Sequence, residues 1–306
     1  MPTNKCRIVL TEKIDVMGKK VVGIGEILWD VFPEGKVLGG APANFAYHAT
    51  QLGLEGYAIS AIGKDDLGEE VLEVLKGKPL QYMLEETNYP TGTVKVTLNG
   101  NGIPEYEICE NVAWDNIPLT AGMKELAKQA DAVCFGSLAQ RHQVSRSTIQ
   151  AFVGLVDTNA LKIFDINLRQ SFFNKAIIVD SLQMANVLKI NEEELVRVAG
   201  LLDITDVGER LVCQRLMDNY DLKIVVLTRG ENGSFVFSKD GSSFLDTPKV
   251  KVADTVGAGD SFTGAFVAGL LNGDDIAKAH KRAVEVSAYV CTQKGAMPLL
   301  PTALLK

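Results

Sequence analysis

A run of small residues followed by an acid, near the C-terminal end, carries the clearest chemical signal in this chain. Residues 254–264 read DTVGAGDSFTG, and Phe262, Phe266 and Leu270 then recur at helical spacing. Bare backbone N–H groups at a helix start, together with the helix dipole, favour an anion. Asp260, in the first helical turn, adds a proton acceptor. This combination suits transfer of a phosphoryl group to a hydroxyl, because the protein then supplies positioning, charge neutralisation and a base.

The same run also has a purely structural interpretation. Gly-rich turns begin many helices, and an acid in the first turn stabilises a helix without any catalytic role. Taken alone, the short motif leaves catalysis and helix capping open.

A second stretch of small and polar residues lies far from the first. Residues 39–46 read GGAPANFA, and VVGIGEILWD at 21–30 reads as a buried first strand that ends in Asp30. A ring of sugar hydroxyls needs ionised acceptors and amide groups, because buried hydrogen-bonding groups left unpaired are costly. Asp30 and Asn44 are therefore candidates for sugar binding. The alternative is that the two glycines form only a turn and that Asn44 belongs to the first turn of the following helix.

Together the two stretches resemble the two signatures of the ribokinase-like carbohydrate kinases, the PfkB family: G-G-x-x-x-N and D-T-x-G-A-G-D. The resemblance implies that Asp260 is the catalytic base and that the backbone of Gly257, Ala258 and Gly259 forms the anion hole. The sugar contacts that it implies are Asp30, Gly39, Gly40 and Asn44. Both signatures occur in the family's order, which disfavours a purely structural interpretation of either.

A third motif resembles the D-x-N-x-R element of the same family. Residues 165–169 read DINLR and end a predicted strand, where ligands bind in open α/β sheets. The guanidinium of Arg169 suits phosphate or carboxylate oxygens, so we expect it to contact a ligand. Asp165 either contacts a ligand or pairs with Arg169.

Two motifs resemble the nucleotide half of the family's site. Residues 191–194 match N-x-x-E, which implies that Asn191 lies at the nucleotide and that Glu194 organises Mg²⁺ through water. The same two residues also suit a capping box at a helix start, and both roles can hold together. The sequence TRGENG resembles the nucleotide loop, and its implied contacts are Thr228, Gly230 and Gly233.

The resemblance implies a monovalent cation, such as potassium, where many relatives of the family hold one. The ligands implied are Asp254 and backbone carbonyls at Val256, Val290 and Gly295. The histidines His48, His142 and His280 lie far apart in the sequence, and we expect them to be structural or surface residues.

The elements that must position these residues alternate along the chain, which indicates a parallel sheet layered between helices. The predicted strands are 21–28, 57–62, 131–135, 161–166, 186–190 and 223–228, followed by a strand–turn–strand unit at 233–246. The predicted helices are 41–53, 66–77, 119–129, 143–159, 192–200, 206–219, 257–272 and 275–292. The fold class is α/β, a three-layer αβα sandwich with a mostly parallel central sheet.

The segment 80–110 departs from this alternation. Short strand-like runs flank Asn99–Gly102, and Asn-Gly pairs between such runs indicate a hairpin. With a strand near 31–38, the segment predicts a small β-sheet that projects from the body. The family uses such a sheet as a lid over the sugar and often as a dimer surface, so the resemblance implies a lid and a homodimer. An ordinary surface hairpin is the alternative.

Length and composition set further limits. The chain has 306 residues, 46% hydrophobic, and a net charge of −7. The length fits one large α/β domain, or one plus a small appendage. The resemblance implies a kinase domain over 17–306. Met17 directly precedes the first strand and 1–16 have no place in the family pattern, so we expect 1–16 to be a peripheral N-terminal extension. No apolar run is long enough for a bilayer, and no basic block marks a nucleic-acid surface. The five scattered cysteines predict a cytoplasmic protein with reduced thiols.

The predicted reaction is transfer of the γ-phosphoryl group of ATP to D-fructose, with Mg²⁺ as cofactor. GGAPAN, PTGT at 90–93, AWD at 113–115 and FGSLAQR at 135–141 resemble the fructokinase branch. One departure is Ile166, which stands where proline is common in the family. A 2-keto-3-deoxygluconate kinase, with Arg169 facing the acid group, is the close alternative, and another sugar or nucleoside kinase of the family also stays open. A non-catalytic sugar-binding relative is more distant, and a nicotinamide dehydrogenase is disfavoured because G-x-G-x-x-G lacks its third glycine.

Overall fold

The computed structural model describes residues 18–33, 35–98 and 104–305. The predicted extension at 1–16 and the predicted Asn99–Gly102 turn lie outside the described residues.

The strands are β1 (Lys20–Ile24), β2 (Leu28–Phe32), β3 (Gly35–Gly39), β4 (Glu55–Gly63), β5 (Gln81–Thr87), β6 (Gly92–Leu98), β7 (Pro104–Ile108), β8 (Ala132–Phe135), β9 (Leu161–Asp165), β10 (Val187–Asn191), β11 (Ile224–Thr228), β12 (Ser234–Ser238) and β13 (Gly241–Leu245). The α-helices are α1 (Ala41–Gln51), α2 (Asp66–Lys76), α3 (Ala121–Ala127), α4 (Gln143–Leu155), α5 (Lys175–Met184), α6 (Glu192–Leu201), α7 (Glu209–Tyr220), α8 (Ala258–Leu271) and α9 (Ile276–Cys291).

The body is a nine-stranded sheet between two layers of helices, as predicted. Its strand order is β13-β12-β11-β10-β9-β8-β1-β4-β5, parallel from β5 to β11 and antiparallel at the β11–β12–β13 edge. One face is covered by α3 to α7, with Phe152 and Leu195 in its core. The other face is covered by α1, α2, α8 and α9, with Phe45 and Phe266. A strand covered on both faces is apolar throughout, which explains the continuous buried run of β8.

A separate four-stranded sheet has the order β3-β2-β6-β7. This is the predicted small sheet, but its boundaries differ from the prediction of 31–38 and 80–110. β5 pairs with β4 in the large sheet, because the β4–α2–β5 segment is a parallel crossover unit. The predicted strand 21–28 is two strands, separated by a bend at Gly25 (φ 153°) that sends β2 to the small sheet. Asp30 therefore lies within β2 and does not end the first strand.

Helix α5 was absent from the sequence prediction. Its start carries a good signal, since the Asn174 side chain accepts a hydrogen bond from the N–H of Ile177 at 2.9 Å. Its apolar residues Ile177, Ile178 and Leu182 are buried. The helix is needed because β9 and β10 are parallel neighbours and require a crossover between them. None of the described helices is long and apolar enough to cross a membrane.

Candidate active site

Two helices bring the N-terminal and C-terminal signatures together. Asp260 lies in the first turn of α8, and its Oδ2 accepts a hydrogen bond from Asn44 Nδ2 of α1 at 2.8 Å. The helices approach closely at Gly264, where a Cβ would stand 2.7 Å from the carbonyl oxygen of Phe45. This contact of backbone with backbone fixes Asn44 against Asp260, although 216 residues separate the two in sequence.

The environment of Asp260 favours a proton acceptor. Burial raises the pKa of Asp260 to about 6, and the charge of Asp165 raises it as well. The hydrogen bond from Asn44 and the charges of Lys189 and Arg169 act in the opposite direction. Asp260 is therefore mostly ionised at neutral pH and is a stronger base than an ordinary aspartate.

The loop before α8 has the form expected of an anion-binding helix start. Gly257 caps α8 with φ 77°, a conformation that favours glycine. A Cβ on Gly257 would also stand 2.7 Å from Cα of Ala296. Of the predicted donors, Ala258 uses its N–H within the turn, donating to the carbonyl of Thr255 at 3.2 Å. The N–H groups of Gly257 and Gly259 have no acceptor among the described residues, so both remain available to an anion.

The two glycines of the N-terminal signature lie close to Asp30 and to the backbone of Glu26. A Cβ on Gly39 would stand 2.8 Å from Asp30 Oδ2, so this glycine leaves room for the carboxylate. Gly40 has φ 129°, and its Cβ would collide with the carbonyl oxygen of Glu26 at 2.4 Å. Burial raises the pKa of Asp30 to about 6, while the charge of Arg169 lowers it. Asp30 and Arg169 thus share one site.

Glu26 is a buried acid near Asp260 and Arg169 that the sequence interpretation missed. It is only 4% exposed, and its Oε2 has no hydrogen-bond partner among the described residues. Burial raises the pKa of Glu26 to about 7, and the charge of Asp260 contributes while that of Arg169 opposes. The bend at Gly25 places Glu26 just beyond the end of β1, and strand ends face the ligand side of such sheets.

One alternative from the sequence, that Asp165 pairs with Arg169, is wrong. Asp165 Oδ1 accepts from Lys189 Nζ at 2.9 Å, and this is a buried ion pair between neighbouring strands. The exposed Arg169 donates to the carbonyl of Leu168 at 3.2 Å. Its guanidinium acts on the carboxylates of Glu26, Asp30 and Asp260 through charge. The reason for the difference is register, because Lys189 lies directly opposite Asp165 across β9 and β10.

The N-x-x-E residues form the capping box that the sequence allowed. Asn191 accepts from the N–H of Glu194 at 2.9 Å, and Glu194 Oε2 accepts from the N–H of Asn191 at 3.0 Å. Glu194 Oε1 accepts from the N–H of Leu168 at 2.9 Å, which ties α6 to the loop that carries Arg169. Each carboxylate oxygen keeps a further lone pair, so Glu194 fits water-mediated Mg²⁺ binding.

The predicted nucleotide loop is a tight turn at the end of β11, where Thr228 lies. Gly230 and Gly233 have φ 52° and 89°, and the N–H of Arg229 donates to the carbonyl of Gly233 at 2.9 Å. A Cβ on Gly233 would stand 2.5 Å from the carbonyl oxygen of Leu245. Glycine is therefore required for the turn itself, and the contact of this loop with nucleotide stays a prediction.

Asp254 joins the two turns predicted to hold a monovalent cation. Its Oδ1 accepts from the N–H of Val256 at 3.0 Å, and its Oδ2 accepts from the N–H of Gly295 at 3.1 Å. The carbonyl of Val290 accepts from the N–H of Gln293 at 2.9 Å and keeps its second lone pair. The oxygen donors thus fit a hard cation.

The described histidines have structural contacts. His48 Nε2 lies 2.8 Å from the carbonyl oxygen of Ala296, and His280 lies between the hydroxyls of Ser234 and Ser243. His142 contacts the carbonyl oxygen of Asp115 at 3.0 Å.

Two segments that resemble the fructokinase branch meet in a buried ion pair. Arg141 Nε donates to Asp115 Oδ1 at 2.7 Å, and the guanidinium lies 4.0 Å from the centre of the Trp114 ring. Arg141 also donates to the carbonyl of Cys109, at the end of β7. This cluster connects the small sheet to the large one, so the two segments have a structural role in this protein.

The α/β sandwich with its separate four-stranded sheet is a ribokinase-like fold. The pfkB family of carbohydrate kinases matches residues 25–303 of this chain. The chain belongs to that family and is a carbohydrate kinase.

Known sugar kinases resemble this chain over more than nine-tenths of its length. "Probable fructokinase-5" of Arabidopsis thaliana is 29% identical over 310 residues, which cover 92% of this chain and 94% of the relative. Fructokinase from Vibrio cholerae, solved with fructose, ADP and calcium bound, superposes with a TM-score of 0.78 at 25% identity, covering 94% of this chain and 98% of that one. An uncharacterized sugar kinase from Pyrococcus horikoshii superposes with a TM-score of 0.78 at 26% identity, covering 91% and 94%.

Proposed function

We propose that this carbohydrate kinase is a fructokinase that converts D-fructose and ATP to fructose 6-phosphate and ADP. Relatives named as fructokinases from Arabidopsis thaliana and Solanum lycopersicum support this substrate, at 29% and 28% identity. So does the Vibrio cholerae fructokinase that was solved with fructose and ADP.

The reaction uses Asp260 as base. Its carboxylate takes the proton of the primary hydroxyl as that oxygen bonds to the γ-phosphorus, and the bond from phosphorus to the β,γ-bridging oxygen of ATP breaks as ADP leaves. The N–H groups of Gly257 and Gly259 stabilise the charge on the transferring oxygens. Asp30, Asn44 and the signature glycines position the sugar. The observation that carries this proposal is the Asn44–Asp260 contact, which brings the N-terminal signature against the acid of the C-terminal signature.

Mg²⁺ and ATP complete the proposal. Glu194 and Asn191 would lie on the magnesium–phosphate side, and Thr228, Gly230 and Gly233 on the nucleotide side. Bound Mg²⁺ neutralises phosphate charge during transfer.

A panel of sugars tests the substrate. Fructose, ribose, 2-keto-3-deoxygluconate and a nucleoside are each offered with ATP, and ADP release is measured by a coupled assay. We expect fructose to give a kcat/KM at least about a hundredfold above the others, because a polar site rejects ligands that leave its buried groups unpaired. Turnover of the keto-acid without turnover of fructose would assign the chain to the alternative kinase.

The alternative function, a 2-keto-3-deoxygluconate kinase, has one observation in its favour. Arg169 is exposed and has no carboxylate within hydrogen-bonding distance in the described ranges, so its guanidinium is available to a ligand carboxylate. In a fructokinase the same group would face sugar hydroxyls or phosphate.

Potassium activation is a further expectation of this proposal. An ion held by Asp254 and the carbonyls at Val256, Val290 and Gly295 would order the loop before α8. We expect kcat in potassium chloride to exceed kcat in tetramethylammonium chloride at equal ionic strength. Equal rates in the two salts would remove this cation from the proposal.

We also propose that the small sheet serves as lid and homodimer surface and that the enzyme acts in the cytoplasm. The free thiols of Cys109, Cys134, Cys213 and Cys291 support a reducing compartment. Sedimentation of a monomer at micromolar concentration would contradict the dimer.

A further inference from the structure

The buried pair of Asp165 and Lys189 has no part in the reaction described so far. Asp165 ends β9 and lies opposite Lys189 of β10, and their side chains are only 6% and 11% exposed. Removing two charges from water is costly, and an apolar pair of similar volume is often no less stable. A role beyond stability would account for the pair.

The pair is joined to the first turn of α8. The hydroxyl of Thr263 lies 3.0 Å from Asp165 Oδ2 and 3.0 Å from the carbonyl oxygen of Gly259. Lys189 Nζ occupies the space beside Gly259, where a Cβ would stand only 2.8 Å from it. Thr263 is itself 3% exposed. The ammonium group of Lys189 and the hydroxyl of Thr263 therefore both contact the first turn of α8 at Gly259.

We propose that Asp165, Lys189 and Thr263 are positioning residues that hold the first turn of α8 and set a positive charge against Gly259, next to the base. The proposal rests on the proposed function, because it assigns Asp260 as that base. Lys189 has three N–H donors and gives one to Asp165, so its charge is shared between the pair and the helix start.

Several charged and titratable groups face Asp260 or its neighbours from the surrounding elements. They are Glu26 after β1, Cys134 on β8, Asp165 on β9, Arg169 after β9, Lys189 on β10 and Glu194 on α6, together with the amide of Asn44 on α1. Among them Asp165 raises the pKa of Asp260 and Lys189 lowers it. Burial would lower the pKa of Lys189, but the carboxylates of Asp165, Glu194 and Asp260 outweigh burial and raise it, so Lys189 stays charged.

These opposite influences give a test by pH profile. The acid limb of kcat/KM reports the base of the free enzyme, and in the native enzyme we expect its midpoint near pH 6, where Asp260 titrates. Lys189→Met removes a positive charge, so the midpoint moves to higher pH. Asp165→Asn removes a negative charge, so the midpoint moves to lower pH. Each shift is expected to be about one pH unit. Titration of ATP is common to all variants and cancels in the comparison.

Substitutions at Thr263 test the proposal while the charges of Asp165 and Lys189 stay in place. Thr263→Val keeps the volume and removes the hydroxyl, and we expect kcat to fall about tenfold or more with an unchanged KM for sugar. Thr263→Ser restores the hydroxyl and should retain kcat within about threefold of the native value. If kcat falls equally in Thr263→Val and Thr263→Ser, or in neither, the proposal that the Thr263 hydroxyl holds the first turn of α8 is wrong.

The double variant D165N/K189M covers the case in which a single charge change prevents folding. It leaves no unpaired charge, so we expect a folded protein by thermal melting, with kcat at least about tenfold lower. Native kcat in this variant, or single variants whose acid limbs move together or not at all, would overturn the proposal. The proposed function fails separately, through a native enzyme without fructose turnover or an Asp260→Asn variant that stays active.

Discussion

Replacing Asp260 by asparagine is expected to lower kcat about a hundred- to ten-thousandfold while fructose still binds. The change is isosteric, and the new amide can turn its oxygen towards Asn44 Nδ2, which now donates to Asp260 Oδ2 at 2.8 Å. The sugar site therefore keeps its shape and loses only its proton acceptor. Turnover by the coupled assay and sugar affinity by calorimetry measure the two effects separately.

The stability of this variant gives an independent check. The pKa of Asp260 is raised from 3.8 to about 6 in the folded protein. Ionisation of this carboxyl therefore lowers the free energy of unfolding progressively as the pH rises between these two values, and the loss is complete above pH 6. A neutral asparagine removes this penalty, so we expect the melting temperature at pH 7.5 to stay constant or rise. A fall in both stability and turnover would indicate misfolding instead of a missing base.

A matched control answers the alternative that Asp260 is only a helix-capping acid. Asp275 precedes α9, and its Oδ1 accepts from the N–H of Lys278 at 2.8 Å, so it is an acid with a capping role. Asp275→Asn should leave kcat native, since asparagine caps as well as aspartate. If Asp260→Asn behaves like this control, Asp260 is not the base.

The sequence was most informative where the chemistry is local. The Gly-Ala-Gly run and the following aspartate belong to one helix start, so their spacing alone predicts Asp260 in the first turn of α8. The alternation of strands and helices likewise predicted the parallel sandwich, because each β–α–β unit is a local pattern.

Long-range pairing was beyond such patterns. Lys189 matters because the β9–β10 register sets it opposite Asp165, and no spacing along the chain encodes that register. The whole segment 80–110 was grouped with the small sheet, and β5 was not predicted as a separate strand. Its pairing with β4 in the large sheet is a long-range contact that strand periodicity does not encode. Glu26 stood inside a run interpreted as continuous strand, so the bend at Gly25 that turns the chain beside it was hidden.

The second large effect is expected from Gly257→Ala, which we expect to lower kcat about a hundred- to a thousandfold. The positive φ of 77° resists a side chain, and the added Cβ would stand 2.7 Å from both Cα and Cβ of Ala296. The segment of Gly295 and Ala296 cannot easily move away, because His48 Nε2 lies 2.8 Å from the carbonyl oxygen of Ala296 and Asp254 Oδ2 accepts from the N–H of Gly295 at 3.1 Å. The anion-binding loop must therefore give way.

Gly273→Ala separates this crowding from backbone strain. Gly273 has a similar φ of 91°, but a Cβ there would meet nothing within 4 Å. Gly273→Ala should lower the free energy of unfolding only by the strain of an alanine in the left-handed backbone conformation, about 1–2 kcal/mol, and leave kcat native. Thermal melting should thus show a loss in both variants, larger for Gly257→Ala, while steady-state kinetics show a loss in Gly257→Ala alone. If both variants retain kcat, the backbone at Gly257 does not bind the transferring phosphoryl group, because a displaced donor would have slowed the reaction.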